Sequence, residues 1–183
     1  MTTKEYITLF YQIKPGFFER DYIRNRKDEN IFDEMILSLK DFDKSKYSKQ
    51  FGEEISFGFY EGDLDELKSQ IKKVDEGWPE FFDGSQKIYC GYIDGKVASF
   101  CLIEDFGNYE IDGVMSKVGG PGCVGTVPEF RDRGIGLTMV NYATQILKDL
   151  GYDYSYIHYT YVPGWYAKLG YKTILRWNKN GIV

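Results

Sequence analysis

The stretch 124-VGTVPEFRDRGIGLTMVNYATQILKDLG-151 decides how this chain folds, because it joins two kinds of regular structure through an unusual turn. Its beginning is an apolar run typical of a β-strand, and its second half repeats apolar residues at helical spacing. Between them, RDRGIG at residues 131–136 brings together two arginines and two glycines. A helix N-terminus offers unpaired N–H groups and the positive end of the helix dipole. Glycines let an oxygen approach the backbone and arginines add charge-assisted hydrogen bonds, so the turn predicts a diphosphate site.

Two well-known phosphate-binding turns do not fit this stretch. The P-loop requires a Lys-Ser/Thr pair after its second glycine, but Leu137 and Thr138 follow Gly136. The Rossmann fingerprint requires a third glycine at the position that Met139 occupies. A nucleotide-binding regulatory domain is therefore kept only as an alternative.

The elements around the stretch predict a mixed α/β domain, with antiparallel hairpins first and a βαβ unit later. ISFGFY at residues 55–60 predicts a strand, and the helix after it is expected to have Asp63 as its N-cap. KIYCGYI and KVASFCLIE, joined by Asp94-Gly95, predict a hairpin with a type I′ turn. Downstream, DYSYIHYT and YKTILRW predict strands on either side of a short helix opening near Pro163. The helix after RDRGIG has one predicted apolar face, consisting of Ile135, Met139, Tyr142, Ala143, Ile146, Leu147 and Leu150, and Gly151 follows its end.

The 183 residues suit one domain with an appendage. We divide the chain into residues 1–50, an N-terminal extension packed on the main domain, and the main domain, residues 51–183. Within the extension, IFDEMILSLK predicts a helix, with Phe32, Met35, Ile36 and Leu39 on one face. The polar segment KDFDKSKYSKQFGEE, residues 40–54, is the predicted connector.

The amino-acid composition argues against several classes of protein. The formal net charge of −5 argues against a nucleic-acid partner, because such proteins show a basic footprint. Three scattered cysteines without CxxC spacing predict neither a disulfide framework nor a metal site. The longest apolar run near the start, YITLFYQI, is too short for a membrane span and follows no basic region. We therefore expect a cytoplasmic protein without a membrane partner, either a monomer or a homodimer.

The turn resembles the acyl-CoA motif of the GCN5-related N-acetyltransferases, the GNAT superfamily, written (R/Q)-x-x-G-x-(G/A). RDRGIG matches that motif, and GTVP at residues 125–128 stands where the family's fourth strand ends. WYAKLGY, from Trp165 to Tyr171, is similar to the family's later block (L)YEKLGF. The resemblance covers residues 55–177 and implies an α/β fold: a mixed, mostly antiparallel twisted sheet flanked by helices, with a splayed strand pair at the acyl-CoA site.

The resemblance also implies a co-substrate and its binding residues. Acetyl-CoA would donate an acetyl group to a primary amine, which attacks the thioester directly. The expected contacts come from the strand end for pantetheine and from the turn for the diphosphate, largely through main-chain N–H groups. These residues are Thr126 and Val127 for pantetheine, and Arg131, Arg133, Gly134, Gly136 and Leu137 for the diphosphate.

Tyr166 occupies the family's general-acid position, where it would protonate the departing thiolate. A phenol with a pKa of about 10 is a workable donor, and general acid help is typically worth about 10²–10⁴-fold in rate. The alternative is that Tyr166 only packs.

The general base is left open, because residues 119–126 contain no carboxylate where several relatives carry one. Glu104 and Asp112, together with Glu110, are candidates on or beside the preceding strand, acting through water. Cys123 is expected to be a small buried hydrophobe, and His158, the single histidine, to be structural.

The acceptor is expected to be a small-molecule or peptide amine. Acidic residues near the preceding strand would suit a cationic amine, while neighbouring aromatic residues would suit a sugar or an aromatic amine. Tyr159 stands where many relatives carry Asn, which leaves the acceptor side undefined. A non-catalytic acyl-CoA-binding module is the alternative function.

Overall fold

One eight-stranded sheet runs through the computed structural model, which describes residues 1–183. Its strands are β1 (Phe32–Ser38), β2 (Ile55–Phe59), β3 (Lys87–Ile93), β4 (Lys96–Ile111), β5 (Val114–Thr126), β6 (Tyr154–Thr160), β7 (Lys172–Asn178) and β8 (Gly181–Ile182). They lie in the order β2-β3-β4-β5-β6-β1-β7-β8. Only β5 and β6 pair in parallel, and every other pair is antiparallel. The predicted mixed, mostly antiparallel sheet is confirmed.

Helices cover both faces of this sheet. Successive side chains of a strand point to opposite faces, so neighbouring residues of one strand pack against different helices. The helices are α1 (Thr3–Ile13), α2 (Asp21–Arg24), α3 (Leu64–Lys72), α4 (Ile135–Asp149) and α5 (Pro163–Ala167). In β4, Cys101 and Ile103 pack in a core with α4 and α5, whereas Phe100 and Leu102 pack against α3. The helix α1 packs on the α3 side, against β1 and β6. No helix combines the length and the apolar character needed to cross a bilayer.

Three local predictions are confirmed. Asp94 and Gly95 have φ values of 48° and 75°, so both central residues of the β3–β4 turn are left-handed, as a type I′ turn requires. The Asp63 side chain caps α3 by accepting from the N–H groups of Asp65 and Glu66. Gly151, with φ of 78°, follows the end of α4.

The predicted helix over residues 31–40 is wrong, because Phe32–Ser38 form β1 in the interior of the sheet. Strand β1 is buried on both faces and therefore lacks the alternation that marks a half-exposed strand. Its two acids are buried with partners from neighbouring strands. Arg176 and Thr173 bind Asp33, while His158 and Trp177 bind Glu34. These long-range partners are what make the acidic strand stable, and a local pattern does not reveal them.

The sheet opens between β5 and β6, as the splayed pair of the predicted fold requires. Their ladder contains only Val118 with Tyr154 and Gly119 with Ser155, after which the strands diverge. Pro121 follows in β5 and has no N–H to donate to a neighbouring strand. The two strands diverge toward their C-terminal ends, and we call the space between them, next to the start of α4, the cleft.

The connector between β1 and β2 runs along α4. The Asn141 side chain donates to the carbonyl oxygens of Lys44 and Tyr47 at 2.9 and 3.0 Å. The Lys148 ammonium donates to that of Phe42 at 2.6 Å. Residues 1–50, which we treat as an extension, thus supply α1, α2, β1 and much of this connector.

Candidate active site

The first turn of α4 presents a row of backbone N–H groups that the protein leaves free. Helix α4 has no side-chain N-cap, and none of the N–H groups of residues 132–137 donates to a protein acceptor. Asp132 and Gly134 are both left-handed, with φ of 62° and 79°. Backbone of this kind turns N–H groups toward a common point and forms anion-binding concavities. Together with the helix dipole, the row is a site for a negatively charged group.

The two glycines of the turn have different roles. Gly134 is the left-handed N-cap of α4, a conformation in which most side chains are strained. Gly136 has no such φ, but a Cβ there would collide with the Thr126 hydroxyl at the end of β5. Gly136 is therefore required for close approach of helix and strand, and Gly134 for the direction of the turn.

Lys49 adds a positive charge at the same place and was missed by sequence reasoning. A Cβ placed on Gly134 would lie 2.8 Å from the Lys49 ammonium nitrogen, so this side chain reaches across the turn. The connector holds Lys49 there through the hydrogen bonds that Asn141 makes. The residue stands in a polar segment with several other lysines, and nothing in its spacing distinguishes it.

The two arginines of the motif are exposed and differ in their contacts. Arg131 Nε donates to the Thr126 carbonyl oxygen at 3.2 Å, which ties the turn to the end of β5. The Arg133 guanidinium lies 5.9 Å from the centre of the Phe130 ring. Both add positive charge to the turn, and Arg133 is the freer of the two to contact a ligand.

The end of β5 offers less backbone than the sequence predicted. Val127 N–H donates to the Ala98 carbonyl oxygen at 2.9 Å, and the Val127 carbonyl accepts from Phe130 N–H at 2.9 Å. Val127 therefore has no free N–H for a ligand. Thr126 lies at the mouth of the cleft, with its side chain against Gly136.

A β-bulge interrupts β5 next to the opening of the sheet. Leu102 pairs with Gly122 and Phe100 with Gly125, so Cys123 and Val124 together stand opposite one residue of β4. Cys123 has φ of 45°, which is unusual for a residue with a side chain. Such a bulge leaves a residue outside the ladder and redirects the backbone. It places main-chain polar groups of β5 at the cleft.

Tyr166 lies in α5 and is brought together with the start of α4. It is only 6% exposed and belongs to the same core cluster as Leu137. Its hydroxyl has no hydrogen-bond partner in the protein. The hydroxyl is not fully enclosed, so it reaches solvent. Burial raises the pKa of Tyr166 well above its ordinary value, so the phenol keeps its proton at physiological pH. The same α5 carries Trp165, whose ring approaches Gly136.

Glu104 is the candidate base that lies beside the cleft. Its carboxylate occupies the space above Gly122, where any side chain would displace it. Burial raises the pKa of Glu104, and the nearby Lys14 ammonium opposes this shift. The carboxylate makes no hydrogen bond or ion pair in the protein, so it is free to accept a proton.

The other two acidic candidates lie at the far end of the hairpin. Asp112 is at the β4–β5 turn and pairs with the Met1 amino group at 2.7 Å. Strand β5 has 13 residues between this turn and Thr126, on the order of 40 Å of extended chain. Glu110 is exposed beside the same turn. The structure does not bring Asp112 or Glu110 to the cleft.

His158 and Cys123 show no sign of reactivity. His158 Nδ1 lies 3.0 Å from both carboxylate oxygens of Glu34, and burial lowers the pKa of His158. Burial raises the pKa of Cys123 to about 12, so it is a neutral thiol at physiological pH. A neutral thiol is a poor nucleophile, which argues against a covalent acyl-cysteine.

A sheet that opens at one parallel pair, a bulge at the opening and a free helix N-terminus opposite it define an acetyltransferase fold. The sequence model of the acetyltransferase (GNAT) family matches residues 49–171, and the chain belongs to this family. No curated protein matches the chain.

Solved structures share this fold. The GCN5-related glucosamine N-acetyltransferase region of a fungal multi-domain GH3 β-N-acetylglucosaminidase has a TM-score of 0.67 and 22% identity, over 97% of this chain and 22% of that one. A GCN5-related N-acetyltransferase from Sphaerobacter thermophilus has a TM-score of 0.57 and 16% identity, over 82% of this chain and 50% of that one. A GCN5-related N-acetyltransferase from Kribbella flavida has a TM-score of 0.51 and 15% identity, over 79% of this chain and 55% of that one. The chain thus spans between 22% and 55% of the length of these proteins.

Proposed function

We propose that the protein transfers an acetyl group from acetyl-CoA to a primary amine by direct attack, in the cytoplasm. The observation that carries the proposal is the row of free N–H groups from residue 132 to residue 137. It lies beside the cleft, which would have Glu104 on one side and Tyr166 of α5 on the other. Acetyl-CoA supplies the activated thioester, and the residues of this chain bind it, orient it and move the protons.

The turn would bind the diphosphate through main-chain N–H groups of Gly134, Gly136 and Leu137. Arg133 and Lys49 would add charge, and Arg131 would mainly hold the turn against Thr126. A diphosphate fits because charge-assisted hydrogen bonds to a fixed row of donors are short and strong. The pantetheine arm would lie along the open edge of β5, near Thr126.

Tyr166 would act on the sulfur of the thioester, and the β5 bulge would act on its carbonyl oxygen. The Tyr166 hydroxyl is protonated and lacks a partner, so it can donate to the thiolate as the carbon–sulfur bond breaks. The backbone at Cys123 and Val124 would donate to the oxygen of the tetrahedral intermediate. Main-chain donors fixed by a bulge need no reorganisation when that charge develops.

Glu104 would take the proton of the amine, through a water molecule. Its raised pKa brings it closer to the working pH, which makes it a better base than an exposed carboxylate. A base works only when deprotonated, so activity should rise with pH through the pKa of Glu104, above the usual range for Glu.

Replacing Glu104 tests this role. We expect Glu104→Gln to lower kcat by about 100-fold with an amine acceptor, because proton removal then depends on water alone. The acidic limb of the pH–rate profile should disappear as well. The measurement is thiol release from acetyl-CoA across a panel of amines, at several pH values.

The matched control is Glu110→Gln, the same change on the same strand at an exposed position near the turn. Equal losses in both variants would show that Glu104 is not the base. Coenzyme A binding without thiol release from any amine would instead support the non-catalytic module.

A further inference from the structure

Two oppositely charged side chains without hydrogen-bond partners, Glu104 and Lys14, lie near each other on the α1 side of the sheet. The Glu104 carboxylate and the Lys14 ammonium form neither a hydrogen bond nor an ion pair within 4.0 Å, although each feels the charge of the other. Burying charged groups without partners is unfavourable, so two such groups left unpaired close to each other point to a ligand.

The Phe106 ring connects these groups. The Lys14 ammonium lies 4.8 Å from the centre of this ring, and the Tyr156 ring is 6.0 Å from it, edge to face. Gly120 lets the ring approach β5 closely, since a Cβ there would lie 3.0 Å from it. The Phe106 ring thus forms an apolar surface under the Lys14 ammonium, two residues along β4 from Glu104.

The second carboxylate on this face is already occupied. Trp177 Nε1 donates to Glu34 at 2.7 Å, and His158 Nδ1 lies 3.0 Å from both Glu34 oxygens. Glu34 is completely buried by these partners. Glu104 is therefore the carboxylate left to receive an amine, and Lys14 is the partly buried cation left to receive an anion.

We propose that the acceptor is an α-amino acid, whose amino group faces Glu104 across the water molecule that carries its proton and whose carboxylate pairs with Lys14. This inference rests on the proposed acyl transfer. In an α-amino acid the two charged groups sit on one carbon atom, so the ligand bridges two opposite charges that do not touch each other. A diamine would place a second cation against Lys14, and an amino sugar would offer it only hydroxyl groups.

The inference also gives the N-terminal extension a role. Lys14 is the C-cap residue of α1, which packs through Leu9 and Ile13 against Tyr156. The extension would thereby supply the residue that selects the acceptor, while residues from β4 onward, together with Lys49, would supply the donor site.

The experiment compares matched pairs of ligands that differ only in the carboxylate: phenylalanine with phenethylamine, histidine with histamine, and lysine with cadaverine. Calorimetric binding to the protein saturated with coenzyme A is measured first, and thiol release from acetyl-CoA second. We expect at least one amino acid to bind about 10- to 100-fold more tightly than its decarboxylated partner, since a hydrogen-bonded charge is lost. Lys14→Met should reduce that ratio to about one, and so should Lys14→Gln.

The matched control is Lys4→Met, the same change on an exposed position of the same helix, which should keep the ratio. Equal or tighter binding of every decarboxylated partner, or of glucosamine, would overturn the inference, as would an unchanged ratio in both Lys14 variants. Thiol release without a carboxylate preference would remove only this inference. Absence of thiol release with every acceptor would contradict the acyl transfer, while the binding ratio would still decide which class of ligand the site takes.

Discussion

Coenzyme A is expected to bind the Gly134→Asp variant about 100-fold more weakly than the unchanged protein, whereas Gly134→Asn should weaken binding only about ten-fold. The two variants have nearly the same shape, and Asn and Asp are the residues with side chains that best tolerate a left-handed conformation. The added carboxylate lies among the free N–H groups and next to Lys49. It therefore repels a diphosphate that the amide of Asn merely crowds.

The stabilities of the two variants should differ in the opposite direction from their affinities for coenzyme A. The comparison therefore separates a loss of binding from a loss of folding. A carboxylate at a helix N-terminus interacts favourably with the helix dipole, so the Asp variant should be at least as stable as the Asn variant. Isothermal calorimetry with coenzyme A and urea unfolding measure the two quantities separately. Equal affinity of both variants would mean that no anion binds at this turn.

The second large effect is expected for Tyr166→Phe, which should lower kcat by about 100-fold or more. The KM for acetyl-CoA should change little, because the lost interaction is made mainly in the transition state. Stability should not fall, since the hydroxyl has no partner in the folded protein and the ring keeps its packing. Steady-state kinetics and thermal unfolding check the two expectations.

Tyr171→Phe is the matched control, because Tyr171 belongs to the same core cluster. Its hydroxyl lies 2.9 Å from Thr144 Oγ1 and 2.7 Å from Ser155 Oγ, linking α4 to β6. Its removal should cost about 1–3 kcal/mol of stability and leave kcat largely intact. An unchanged kcat in Tyr166→Phe would assign Tyr166 to packing alone.

The turn and the helix of the proposed donor site were predictable from the sequence because their parts are local. The motif RDRGIG, the helix after it and the hairpin turn at Asp94-Gly95 each depend on residues a few positions apart. The free N–H groups follow from the helix start itself. A sequence pattern predicts backbone conformation well where a short segment determines it.

The proposed acceptor side was not predictable, because it depends on partners far apart in the chain. Glu34 is stable in a buried strand only because His158 and Trp177 bind it. The choice between Glu104 and Asp112 depends on the length of the β4–β5 hairpin and on where the sheet opens. Lys14 and Lys49 are ordinary lysines in sequence and gain their positions only from the packing of α1 and of the connector.

The most direct test of the account is a crystal structure of the protein with coenzyme A. We expect the diphosphate oxygens within hydrogen-bond distance, about 2.7–3.2 Å, of backbone N–H groups between Arg133 and Leu137. The sulfur should then lie in the cleft beside the Tyr166 hydroxyl. A diphosphate bound elsewhere on the protein, with those N–H groups not in contact with it, would contradict the central claim.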